Sequence, residues 1–143
     1  MNNEESILDY VKKLLGIQKD YTHFDPDIIY GINAAFGVLT QLGVGPEEGF
    51  MISDDTAKWN DFVSDTTRLS LIKEYVCLKT RLLFDPPTSA SLIDVMNKSA
   101  NEYEWRLYVA SDGKDSLPKI LDMVEKGLDT IIENENYYIG GED

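Results

Sequence analysis

Cysteine and histidine occur once each in this chain, as Cys77 and His23, and that scarcity removes whole classes of chemistry. One cysteine builds neither an intrachain disulfide framework nor a cysteine zinc site. Cys77 falls in an apolar helical stretch, where a thiol packs as a small inert hydrophobe. One histidine with no nucleophile in register makes no triad, and His23 reads as a surface or capping residue ahead of a helix. Bases are also scarce: 13 Lys and Arg face 26 Asp and Glu, for a net charge of −13. Binding nucleic acid through phosphate neutralisation needs clustered cations, so that class is excluded. An acidic wall repels phosphates and lets DNA pass without holding it, but composition alone favours the plainer reading of a soluble acidic protein kept apart by like charge. No apolar run approaches the length of a membrane span. The opening Met1-Asn2-Asn3-Glu4-Glu5 lacks the basic start of a signal peptide, and the expectation is a reducing, cytoplasmic origin. Gly43, Gly45 and Gly49 follow a helical pattern rather than a strand, so they form no phosphate loop. Asp112-Gly113-Lys114-Asp115 lacks the alternating acids and terminal Glu of a calcium loop. No catalytic residue, metal or cofactor is expected.

What is present is helical patterning. At 143 residues, with 43% apolar and 27% charged side chains, the chain has the size and composition of an ordinary globular domain. Ile7, Tyr10, Val11, Leu14 and Leu15 recur at helical spacing, with Ser6 as cap, Asp9 at the capping-box position and Gly16 as stop. Asp25 is a candidate N-cap for a second helix, with Pro26 at its first position and Asp27 favouring the positive end of the helix dipole. Its apolar stripe runs Ile28, Ile29, Ile32, Ala35, Phe36, Leu39 and Leu42, and Gly43 ends it. Gly31 and Gly37 inside this helix each cost about 1 kcal/mol relative to Ala; close helix approach and simple tolerance both explain them. A long connection, Val44 to Asp65, follows. It holds a short helix in which Trp59, Phe62 and Val63 stand at i, i+3, i+4, with Asp55 or Thr56 as its cap. Phe50-Met51-Ile52 pins the loop to the core or to a neighbouring subunit.

A central helix spans Thr66 to Phe84, capped by Ser64 or Asp65. Leu69, Ile72, Val76 and Leu83 make one stripe, and Leu71, Tyr75, Leu78 and Leu82 a second beside it, so the apolar arc is wide enough for burial on more than one side. Arg68, Lys73, Lys79 and Arg81 read as solvated charges. Phe84, Asp85, Pro86 and Pro87 then form a stiff corner: proline fixes φ and donates no hydrogen bond, and the residue before it leaves the α region. Thr88 or Ser89 caps a further helix from Ser89 to Ala110, in which Leu92, Ile93, Met96, Ala100, Tyr103 and Leu107 face one way. Val95, Trp105 and Tyr108 fall largely off that stripe, and read equally as interface candidates or as partly buried rim residues. Ser116 caps a last amphipathic helix carrying Leu117, Ile120, Leu121, Val124, Leu128, Ile131 and Ile132. A tail with an apolar plug, Tyr137-Tyr138-Ile139, follows. The expected fold is all-α, a compact bundle of about four to five helices with a long loop between the second and third. Residues 1–111 form the core, and 112–143 a C-terminal helix and acidic tail.

Trp59, Asp61 and Phe62, then Ile72-Lys73-Glu74-Tyr75-Val76, the run Leu78-Lys79-Thr80-Arg81-Leu82-Leu83-Phe84-Asp85-Pro86-Pro87 and Glu104-Trp105-Arg106-Leu107 resemble the helical head–tail connector (adaptor) proteins of tailed bacteriophages. The opening helix and Asp25-Pro26-Asp27-Ile28-Ile29 look like that family's start, and the likeness covers residues 4 to 110. It implies a non-enzymatic structural subunit of the virion head–tail junction, assembled in the host bacterial cytoplasm. Such subunits form a ring, commonly a dodecamer, beneath the portal protein, extend the DNA channel and dock a tail-side connector or stopper protein. DNA passes without specific binding, and no membrane is involved. The interface residues expected on this reading are Trp59, Phe62, Trp105, Tyr108, Leu128, Ile131, Tyr137 and Tyr138. The alternatives are an acidic helical binding module that mimics nucleic-acid charge, and a hydrolase using His23 with the loop acids Glu47, Glu48, Asp54 and Asp55.

Overall fold

In a computed structural model, residues 4–111 are described; the expectations for 112–143 lie outside them. The described chain is all-α: α1 (Ile7–Leu14), α2 (Asp25–Gln41), α3 (Trp59–Phe62), α4 (Leu69–Phe84) and α5 (Ala90–Ser111). The nearest approach to a sheet among the described residues is one isolated bridge, Ser6 opposite Lys58, where Ile7 N–H donates to the Ala57 carbonyl at 3.0 Å. That bridge ties the end of the long loop to the start of α1.

The helix ends show which local signals hold. Ser6 Oγ accepts from Asp9 N–H at 3.3 Å, as its cap position requires. Asp25 is not the cap of α2. Phe24 holds that position, with backbone φ −95° and ψ 3°, and Asp25 is the first helical residue. Its carboxylate is taken instead by Lys12, at 2.8 Å. Neither Asp55 nor Thr56 caps α3. The Asp61 carboxylate accepts the Lys58 N–H at 2.8 Å, while Asp61 N–H donates back to the Lys58 carbonyl at 3.0 Å. The central helix begins later than its hydrophobic pattern suggests. Asp65 takes the Thr67 N–H (2.9 Å) and hydroxyl (2.7 Å) in a turn of its own, and the helix starts only at Leu69. Ser89 caps α5, accepting from Leu92 N–H at 3.3 Å.

The core gathers α1, α2, α3 and α4 around Ile28, Ile32, Phe36, Trp59, Leu69, Ile72 and Val76, with α5 contributing Ala100 and Leu107. α2 and α4 pack most closely. At Gly31 an added Cβ would stand 3.1 Å from Thr80 Cγ2 and 3.3 Å from Thr80 Cα, so close approach is why glycine is there; at Gly37 nothing lies within 4 Å. Gly45 has φ +86°, and a Cβ there would overlap the Phe62 ring. The long loop is pinned inward as expected of Phe50 and Ile52. Phe50 packs on Phe36 and Phe62 with ring centroids 5.0 and 5.3 Å apart. Asn33 clamps Ile52 with two hydrogen bonds, of 2.9 and 2.8 Å. Met51 between them points outward.

Candidate functional site

Two lysines are buried, Lys12 and Lys73. Lys12 donates to the carbonyls of Lys19 (3.0 Å) and Tyr21 (2.7 Å) and pairs with Asp25. Its ammonium thereby uses all three donors to lock the turn between α1 and α2. Lys73, read from sequence as solvated, is 3% exposed. It lies over the rings of Tyr10 and Trp59, 4.9 and 5.7 Å from their centroids, an arrangement in which aromatic faces replace water around a cation.

Trp59 and Phe62, expected at an interface, lie instead in the chain's own core. They are 0% and 3% exposed, because α3 is a plug that turns both side chains inward onto Phe36, with ring centroids 6.4 and 4.6 Å away. The i, i+3, i+4 spacing of Trp59, Phe62 and Val63 held that information; placing the segment in a loop obscured it. Trp105 is 55% exposed, its ring 6.3 Å from that of the half-buried Tyr108. These two aromatics stay on the surface of α5. Leu128, Ile131, Tyr137 and Tyr138 lie outside the described residues.

The corner is held from outside as well as by its prolines. Asp85 sits at φ −142° and ψ 66°, out of the α region, with its N–H on the Arg81 carbonyl at 2.8 Å. Phe84 packs edge-on against Phe24, 5.4 Å between centroids, which couples the end of α4 to the start of α2. Beyond the corner, α4 and α5 are joined by two tyrosine–glutamate bonds. Tyr75 Oη donates to Glu104 at 2.6 Å, and Tyr103 Oη to Glu74 at 3.0 Å. Burial, then the Glu104 carboxylate, push the Tyr75 hydroxyl above its usual range, which keeps it a donor. Cys77 on the same helix is pushed up to about 12, first by burial and then by the charge of Glu74.

Two apolar grooves flank this α4–α5 pair. One, of about 460 Å³, runs between α1, α4 and α5 past Leu14, Leu78, Leu92, Val95, Met96 and Tyr103. The other lies between α2, α4 and α5 past Val38, Leu82, Leu83, Pro86 and Ile93. Leu14 (58%), Leu83 (55%) and Val95 (57%) are largely exposed along them. Leu83 had been expected to share the buried stripe of α4; the corner ends the helix just beyond it, and its side chain faces the second groove.

His23 is exposed and lies edge-on to Phe24, 4.9 Å between centroids. Of the acids paired with it in the hydrolase alternative, Asp54 caps its own turn, accepting the Thr56 N–H at 2.9 Å. Among the described residues no three or more His, Cys, Asp or Glu side chains are grouped to hold a metal ion, and no helix is long and apolar enough to cross a membrane.

No curated protein and no solved structure matches this chain. The family model described as phage connector protein matches residues 7–114. That span takes in the five helices of the described residues, the Pro-Pro corner and both grooves. The chain therefore belongs to the phage connector protein family, structural components of the virion's head–tail connection.

Proposed function

We propose that this chain is a ring-forming head–tail connector subunit. A ring of copies, a dodecamer in the virion, sits beneath the portal protein, extends the DNA channel and presents a docking surface to a tail-side connector or stopper protein. The family match over residues 7–114 carries this reading. Three features of the chain support it. The exposed apolar grooves give association surfaces to a subunit that otherwise closes its own core. The exposed Trp105, with the half-buried Tyr108 beside it, supplies surface aromatics of the kind enriched where proteins meet. The net charge of −13 suits a channel through which DNA slides, because a wall of acids repels phosphate. The contacts to portal or neighbour expected of Leu128, Ile131, Tyr137 and Tyr138, which lie outside the described residues, belong to the same proposal. The chain does no chemistry in this role; it needs no cofactor.

The test is assembly. Light scattering on the purified chain, alone and with purified portal protein, is expected to find a ring-sized species. A strict monomer under both conditions would overturn the reading.

A further inference from the structure

The two grooves lie on different faces of one helical hairpin. On α4, Glu74, Cys77, Leu78 and Arg81 follow one groove, and Lys79, Leu82 and Leu83 the other. On α5, Leu92, Val95, Met96 and Tyr103 follow the first, and Ile93 and Asn97 the second. At 3.6 residues per turn the two sets stand about 120–140° apart around each helix. The surfaces are therefore unlike and point in different directions.

Charge indicates what covers them. The chain carries 26 acids, and two copies repel one another wherever those acids face each other. Among the described residues, the first groove is lined by one acid, Glu74, and one base, Arg81. The second is lined by one base, Lys79, and no acid. These apolar strips are places where two copies of so acidic a chain can touch without bringing acids together. The acid of the first groove, Glu74, also complements the base of the second, Lys79, whose ammonium lies 4.0 Å from Glu104 in its own chain. A contact between unlike patches repeats from copy to copy and closes into a ring where the rotation between copies divides the circle, whereas a self-matching patch stops at a dimer.

We propose that the grooves are the two halves of a head-to-tail contact between copies of this chain. The Leu14–Leu92–Val95 groove of one copy receives the edge of the next that carries Leu83 and Pro86. Lys79 of the one comes towards Glu74 of the other. This inference rests on the ring reading and names the surfaces the ring uses.

The test mixes two full-length variants. Val95→Asp disables the first groove and Leu83→Asp the second, each at a position that is mostly exposed and outside the core. Light scattering and negative-stain microscopy, with portal protein where wild type needs it, read the assembly, and circular dichroism reads the fold. Each variant alone is expected to keep wild-type helix content and to lose rings by about tenfold or more, as a carboxylate trapped in an apolar contact requires. Mixed in equal amounts, the two are expected to form pairs and nothing larger, because each contributes one intact groove. If either aspartate lowers helix content, Val95→Gln and Leu83→Gln are used in the same mixture. Rings from wild type and equally from either variant alone would overturn the inference and leave the ring reading standing. So would a mixture that forms no pairs where wild type forms rings, the result expected if another segment or partner fills the grooves. A wild type that forms no ring with or without portal would overturn both.

Discussion

Two glycines of α2 give the same substitution opposite expected signs. At both Gly31 and Gly37, alanine gains about 1 kcal/mol of helix propensity. At Gly37 nothing opposes it, since an added Cβ meets no atom within 4 Å, so Gly37→Ala is expected to stabilise by about 0.5–1 kcal/mol. At Gly31 the new methyl arrives 3.1 Å from Thr80 Cγ2 and 3.3 Å from Thr80 Cα. Thr80 is fully buried, and its β-branched side chain has little rotamer freedom. Relief then requires α2 and α4 to move apart, with an overpacking cost of about 1–3 kcal/mol. Against the propensity gain, Gly31→Ala is expected to lose about 1 kcal/mol net, and to stand roughly 1–3 kcal/mol below Gly37→Ala. Urea denaturation followed by circular dichroism measures both, with an unchanged slope showing that the compactness of the unfolded chain is the same. Thr80→Ser, which removes only Cγ2, is expected to recover part of the loss in the Gly31→Ala background, a coupling of about 0.5 kcal/mol or more. Equal stabilisation at the two sites would refute the claim that α2 and α4 meet at Gly31.

Lys12→Met leaves two backbone carbonyls and the Asp25 carboxylate without their donor, and is expected to destabilise by about 2–4 kcal/mol in chemical denaturation. The exposed neighbour Lys13→Met should change stability by no more than about 0.5 kcal/mol; equal effects would contradict the clamp. For Cys77, a folded-state value of about 12 against an ordinary 9.0 means that the thiol's contribution to stability is complete below pH 9 and is lost as pH rises towards 12. At pH 8 the native thiol is then expected to react with a disulfide reagent about 30-fold or more slowly than the unfolded chain, after allowing for the higher nucleophilicity of a more basic thiolate; equal rates would contradict its burial. Replacing Pro86 and Pro87 by Ala is expected to reduce ring yield while leaving helix content intact, as read by light scattering and circular dichroism. Normal rings would show that the stiffness of the corner is dispensable.

Where one strong local force decides the outcome, the sequence was sufficient. Ser6 and Ser89 cap because a hydroxyl next to orphan N–H groups has one good use. Asp85 leaves the α region because a proline follows it. Helix starts were misplaced where two local options compete. Asp25 and Asp65 both carry cap-type side chains, but one is taken by a buried lysine and the other by a tight turn one step earlier. Tertiary facts were the least legible. Nothing local says that Lys73 will lie over Tyr10 and Trp59 rather than in water, or that Asn33 will clamp a loop nineteen residues on. Trp59 and Phe62 went wrong for a related reason: a four-residue helix inside a long loop buries as well as a long one when its aromatics share one face. Of the candidate surfaces, Trp105 was legible as an aromatic off the apolar stripe. The second groove was not, because it depends on the direction in which the corner sends α5 past α2.

The central claim is that copies of this chain close into a ring on the portal. Electron microscopy of the full-length chain mixed with purified portal protein tests it most directly. The expected result is an additional ring of copies stacked on the portal, twelve-fold and open along its axis. Portal particles that remain unchanged, with the chain eluting as a monomer, would contradict it.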